Sequence, residues 1–255
     1  MFSEILLAAQ ISFPFMFILM NKYKSKIPNL RGKNVLVTNG SNGLGQKICI
    51  SLAQYGCNII IVDILPADDT LNKLQRYNVK ANSFKVDMSN QQEVSKLKTD
   101  VINEFGTVDI LINNGTTVTY ETVFKNSSEN VDKMLDGNVC AVENMTNCFV
   151  ETMKENGCGY IMTISGTPGM DAHPYSTDNS HVKFRIMNFM TDLKEALKRQ
   201  KFNGIKIVYF SPKTAPFEPD VTHFMKAEEY IKMIKLEADS DSFWSSLKMQ
   251  YVEVA

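Results

Sequence analysis

No cysteine in this chain has a partner at metal-ligand spacing. The five, Cys49, Cys57, Cys140, Cys148 and Cys158, are scattered over 255 residues. There is no Cys-x-x-Cys pair and no Cys/His cluster, so the sequence predicts no metal site. Read as buried, reduced thiols, the cysteines imply a reducing compartment for the domain. Charge of one sign is also lacking: 27 Lys and Arg stand against 28 Asp and Glu, for a net charge of −1. No global field therefore draws the chain to nucleic acid or to an anionic membrane surface. Internal repeats and low-complexity tracts are absent. What is present in quantity is apolar side chain, 44% of the residues, enough for the core of one large α/β domain.

The charge-poor stretch is at the start. Phe2 to Met20 reads FSEILLAAQISFPFMFILM, with Glu4 as its only charge. A spanning helix needs about 20 apolar residues, and Gln10, Ser12 and Pro14 dilute this one. A cleaved signal peptide fits poorly, because no basic residue precedes the apolar run and no Ala-x-Ala site comes after it. Lys22, Lys24, Lys26, Arg31 and Lys33 lie on its C-terminal side, and the positive-inside rule then leaves the domain on the cytosolic side. The expected organisation is a membrane anchor over residues 1–22, spanning or interfacial, a basic linker over 23–32, and one domain over 33–255. The alternative is an N-terminal helix packed on the domain or on a second subunit.

From Lys33 onward, strand and helix signals alternate. Strands are expected at Asn34–Thr38, Asn58–Asp63, Asn82–Val86, Val108–Asn113, Tyr160–Ser165 and Ile205–Phe210. Most are short apolar runs without period-two alternation, as parallel strands covered on both faces require. Helices are expected at Leu44–Tyr55, Thr70–Tyr77, Gln91–Phe105, Val131–Glu155 and Lys183–Gln200. Gly56, Gly106, Gly157 and Gly204 stand just past four of them as stop signals. Strand-helix-strand units in series predict a doubly wound parallel sheet, the Rossmann arrangement. A further helix at Ala227–Leu236 and a last strand at Met249–Val254 extend the pattern.

The first strand runs into Thr38-Asn39-Gly40-Ser41-Asn42-Gly43-Leu44-Gly45. A glycine-rich turn between strand and helix lets the backbone approach a pyrophosphate and aims the helix N-terminus at it. Asp63 ends the second strand, where a carboxylate bonds ribose hydroxyls and repels a 2′-phosphate, favouring NAD over NADP. Asp87 ends the third strand beside the expected adenine pocket, and Asn113-Asn114-Gly115 ends the fourth.

These motifs resemble the short-chain dehydrogenase/reductase family. Thr38 to Gly45 is similar to its Thr-Gly-x-x-x-Gly-x-Gly loop, Val86-Asp87 to its Asp motif, and Asn113-Asn114-Gly115 to its Asn-Asn-Ala-Gly. Asn138 matches the family's helix asparagine and Lys183 its helix lysine. The apolar N-terminus with its basic patch, and Val86-Asp87-Met88-Ser89-Asn90, look most like the membrane-anchored branch of 17-beta-hydroxysteroid and retinol dehydrogenases. That resemblance implies an oxidoreductase fold at the endoplasmic reticulum membrane or a lipid droplet, with the domain facing the cytosol. It also implies a lipid, steroid or retinoid ligand, and a homo- or heterodimer formed through the helices of Asn138 and Lys183. Three residues depart from the cofactor pattern. Asn39 replaces the loop's first glycine, Thr116 replaces the last glycine of Asn-Asn-Ala-Gly, and Lys213 stands after Pro212 where the family has Pro-Gly. Asn tolerates a left-handed backbone better than other side chains, but together the three predict weakened NAD binding.

Family catalysis uses a Tyr as proton donor or acceptor, a Lys that lowers its pKa from about 10, a Ser that polarises the carbonyl and an Asn that holds a relay water. With Lys183 as the Lys, the Tyr position four residues before it is Asn179, and the Ser position thirteen residues before that is Gly166. Ser165 is one residue early and should face the other side of its strand. An amide neither titrates near neutrality nor supplies a proton, so the expectation is a chain with impaired catalysis. Tyr175 lies one turn before Asn179, but the residue four positions after it is not Lys. His173 and His181 are further proton carriers in principle. Asn126-Ser127-Ser128 and Asn144-Met145-Thr146 match glycosylation sequons, which a cytosolic domain leaves unmodified.

Overall fold

The computed structural model describes residues 30–115, 132, 135–165 and 177–210. Six strands form one parallel sheet: β1 (Asn34–Thr38), β2 (Asn58–Asp63), β3 (Ala81–Lys85), β4 (Ile110–Asn114), β5 (Gly159–Ile164) and β6 (Ile205–Phe210). Their order is β3-β2-β1-β4-β5-β6. The chain first builds outward from β1 to β3, then returns to β1's other edge and builds outward to β6. The reversal lies between β1 and β4, where Leu36 pairs with Leu111, and such a switch point opens a crevice at the carboxyl ends of the strands.

Both faces of the sheet are covered, which is why most of its strands read as apolar runs; the edge strand β3 (ANSFK) is only partly buried. Leu36, Ile60, Leu111 and Ile161 face α3 (Gln91–Phe105), α4 (Ala141–Asn156) and α5 (Thr177–Arg199), packing with Val94, Leu97, Phe149 and Met190. Their neighbours Val35, Val37, Ile59, Ile61, Ile112 and Met162 face the opposite side. There they pack with Ile48 and Leu52 of α1 (Gly43–Gln54) and Leu74 of α2 (Asp68–Leu74). The central strands thus place alternate residues in two separate cores, one on each face of the sheet.

The bounds of β1, β2, β6 and α3 are those expected from the sequence. Three expectations are corrected. The helix expected over Val131–Glu155 contains a π-helical turn at Leu135–Cys140, with α4 beginning at Ala141. The helix read from Lys183 begins at Thr177, so Asn179 lies within it. Gly56, Gly106 and Gly157 take positive φ just past their helices, at 81°, 79° and 70°, and Gly157 adopts the left-handed conformation of a helix stop, but Gly204 does not cap α5. Lys201, at φ 64°, turns the chain there. Gly204 is needed for a different reason: a methyl on it would collide with the Gly157 carbonyl.

The expected anchor over 1–22, most of the linker, and the expected elements at Ala227–Leu236 and Met249–Val254 lie outside the described residues. Among the described residues no helix is long and apolar enough to cross a membrane.

Candidate active site

The glycine-rich turn sits at the switch point and is held from three sides. Asn39 takes φ 50°, the left-handed conformation that Asn tolerates. Gly40 is buried, with a hypothetical Cβ 3.0 Å from Ile61 and 3.1 Å from the Cys49 thiol. Gly45 presses against the turn itself, and a methyl there would strike the Asn39 carbonyl. Asn42 stands at the N-cap of α1 but makes no side-chain capping bond. The first-turn amides therefore keep their donor capacity and the positive end of the helix dipole. Gly43, at φ 54°, has nothing within 4 Å of a hypothetical Cβ, and Leu44 beside it is half-buried. Ser41 is buried, and its hydroxyl finds no hydrogen-bond partner among the described residues.

Asp63 is only 4% exposed. One carboxylate oxygen accepts from the Ser41 amide at 3.1 Å and the other from the Leu65 amide at 3.0 Å. A carboxylate has about four acceptor sites, so room remains for ribose hydroxyls, and the two bonds aim the group at the turn. Asp87 is arranged differently. It accepts from the Ser89 amide at 2.9 Å and the Ser89 hydroxyl at 2.7 Å, while its own amide donates to Glu93. Asn90 then caps α3 by accepting from the Gln92 and Glu93 amides.

At the end of β4 the two asparagines have separate tasks. Asn113, 2% exposed, donates to the Thr146 hydroxyl at 2.9 Å and the Thr163 hydroxyl at 3.2 Å, tying β4 to α4 and β5. Its side-chain oxygen has no partner among the described residues. Asn114 receives Thr38: the Thr38 hydroxyl donates to the Asn114 carbonyl at 3.1 Å and accepts from the Asn114 amide at 2.9 Å. Thr38, Asn39, Asn113 and Gly115 border one small cavity with Met88, Gly137, Ala141 and Val142.

Asn138 is 1% exposed and lies in the π-helical turn, a distortion frequent at functional sites. Asn179 and Lys183 both lie on α5, four residues and one turn apart, on the same side of the helix. Lys183 is half-buried, and burial holds its amine below the ordinary lysine value of 10.5. No described residue bonds that amine. Ser165 is 2% exposed, near Tyr209 of β6. Burial pushes the Tyr209 phenol up, and the nearby Ser165 hydroxyl acts in the opposite sense, although its oxygen makes no well-shaped hydrogen bond. Ser165 is thus enclosed in the interior beside β6. Gly166, Tyr175, His173 and Pro212 lie outside the described residues. Among the described residues no three His, Cys, Asp or Glu side chains gather as a metal site.

Sequence reasoning missed two supports of the turn and one of the Asp87 loop. Thr70, fully buried, donates to the Gly40 and Ser41 carbonyls at 3.1 and 2.8 Å. Gln46 bonds Thr70, Asp69 and the Ser41 carbonyl. Asn144 donates to the Met88 and Ser89 carbonyls at 3.1 and 2.9 Å, and Thr146 is fully buried. The second sequon is therefore part of the packing that holds the Asp87 loop. No local pattern marks these residues, because apart from the Gln46–Ser41 bond their partners lie 23 to 56 residues away.

An uncapped helix start, a glycine-pressed turn, an orphaned buried serine hydroxyl and an oriented carboxylate fit a dinucleotide with its pyrophosphate on α1. The class so defined is a Rossmann-type dinucleotide-binding domain. The short chain dehydrogenase family model matches residues 33–228, and the chain belongs to that family. Among curated relatives, human estradiol 17-beta-dehydrogenase 11 is 26% identical over 186 residues, 72% of this chain and 62% of that protein. The match thus spans less than two thirds of that enzyme's length. L-rhamnose 1-dehydrogenase (NADP(+)) of Thermoplasma acidophilum is 30% identical over 190 residues, 73% of this chain and 74% of the relative. Among solved structures, carveol dehydrogenase from Mycobacterium avium in complex with NAD superposes with a TM-score of 0.67 at 18% identity, over 74% of this chain and 73% of that one. A metagenomic short-chain oxidoreductase in complex with NADP superposes with a TM-score of 0.71 at 20% identity, over 81% and 91%. These likenesses carry the fold.

Proposed function

We propose that this chain is a membrane-associated short-chain dehydrogenase homologue that holds NAD and an apolar lipid, steroid or retinoid, with catalysis impaired. The observation that supports this most is the register of α5. It carries Asn179 one turn before a half-buried Lys183, so the helix position that precedes the lysine offers an amide in place of a phenol. With Gly166 at the Ser position, two of the four family side chains are replaced. Losing positioned acid–base catalysis costs about 10²–10⁴ in rate.

Asp63 favours NAD, because a 2′-phosphate would meet a buried anion already bonded to Ser41 and Leu65. An apolar ligand accords with the steroid dehydrogenases among the relatives. Pairing with a second copy or an active relative through α4 and α5 accords with Phe184, 53% exposed beside Lys183. The anchor over 1–22 would place the domain on the cytosolic face of the endoplasmic reticulum or a lipid droplet.

The purified chain is tested for thermal stabilisation by NAD and by NADP, which reports binding to the folded state, and for hydride transfer with retinol and steroid alcohols. Stabilisation by NAD with trace turnover is expected. Robust turnover overturns the impairment and directs attention to Tyr175. Deleting residues 1–22 should release the protein from membranes, and unchanged membrane association removes the anchor.

A further inference from the structure

Two departures from the family pattern face each other across the cleft. Asn39 stands where the family has glycine, and Gly115 stands where it has alanine. Built onto Gly115, a methyl has as its three nearest neighbours only atoms of Asn39: it collides with Nδ2 and lies 3.1 Å from Cγ and 3.9 Å from Cβ. The Asn39 side chain fills the space that a side chain at 115 would take. It is also fastened there. Asn39 Nδ2 donates to the Asn114 carbonyl at 2.9 Å, and Asn114 Nδ2 returns toward the Thr38 and Asn39 carbonyls at 3.3 and 3.4 Å. The left-handed φ of 50° at Asn39 is the conformation glycine would otherwise supply, and asparagine suffers least from it.

We propose that Asn39 and Gly115 are one coupled unit. The Asn39 carboxamide is a strut between the phosphate-loop turn and the end of β4 that sets the width of the dinucleotide cleft, and glycine at 115 is what admits it. Asn39 is thus a positioning residue for the cofactor, and its departure from the family is compensated. Both residues border the same cavity at the switch point, so the strut lies where the cofactor must pass. The positioning role rests on the reading that this cleft holds NAD; the coupling does not.

The test uses the full chain in four forms: unchanged, Asn39→Gly, Gly115→Ala and both. Melting temperature and NAD dissociation constant are measured for each. Gly115→Ala alone should lower Tm by about 3–10 °C, as overpacking does in a domain of this size. It should weaken NAD by about tenfold or more, since the strut must swing into the cleft, while contacting residues leave the two changes non-additive. In the Asn39→Gly background the same change should cost little, with NAD affinity largely recovered. Equal Tm losses in both backgrounds overturn the coupling. Coupled Tm values with one NAD affinity throughout overturn the positioning role. If Gly115→Ala alone fails to fold, recovery of soluble protein in the double variant supports the coupling and failure of both overturns it. Absence of NAD binding by the unchanged chain sinks the cofactor reading and the positioning role, while the Tm comparison still decides the coupling.

Discussion

Asn179→Tyr combined with Gly166→Ser should restore hydride transfer. Asn179 and Lys183 are four residues apart on α5, a rise of about 6 Å along one side of the helix. A phenol at 179 would therefore stand beside an amine that has no bonding partner among the described residues and whose burial depresses its pKa. That cation lowers the phenol from about 10 toward neutrality, and the phenolate in turn relieves the lysine. Positioned acid–base catalysis contributes about 10²–10⁴ in rate, equivalent to about 3–5 kcal/mol of barrier. The gain should exceed the product of the single variants, because side chains acting as a unit are not additive. The assay monitors formation of reduced nicotinamide with retinol and with steroid alcohols. Lys183→Met in the double variant serves as the control that should remove the gain. If the double variant gains nothing while NAD still stabilises it thermally, the reasoning from helix register is refuted.

Lys183→Met in the unchanged chain should raise stability near neutral pH. The folded pKa is depressed below the ordinary 10.5, so burial opposes the charged form and its cost is fully present below the folded pKa. Stability then rises with pH through the interval up to 10.5, and the advantage of the methionine variant should shrink there in pH-resolved denaturant titrations; a pH-independent difference would contradict this. Asp63→Ala removes the acceptor of two amides, one of them at a buried residue. It should cost about 1–3 kcal/mol per amide left without a partner and reduce the preference for NAD over NADP; an unchanged melting temperature would argue against the carboxylate as the brace of the turn. Native alkylation with mass spectrometry should label the exposed Cys158 well before the buried Cys49, whose thiol is pushed strongly up by burial; labelling of Cys49 at the same rate would contradict its place beneath Gly40.

The alternation of strands and helices was legible in the amino-acid order because it is a local matter. A parallel strand buried on both faces needs an apolar run such as Asn58–Asp63, and a left-handed turn tolerates few residue types beyond glycine and asparagine. The bounds of β1, β2 and β6 and the conformation of Asn39 came from that alone. The candidate site was legible in part for the same reason: Thr38 to Gly45, Asp63 and the spacing of Asn179 and Lys183 are marks carried by short segments. The π-helical turn around Asn138 left no such mark, and neither did the transfer of the turn after α5 from Gly204 to Lys201.

What only the tertiary structure decided is how distant segments meet. Asn39 finds Asn114 75 residues away, Thr70 reaches Gly40 across 30, and Asn144 holds Met88 across 56. Read in sequence, Asn39 is one of three departures that weaken a cofactor site, and Gly115 is simply the end of the Asn113-Asn114-Gly115 motif. Folded, they occupy one volume, because the β1–β4 pairing brings their backbones together and close packing admits only one side chain between them.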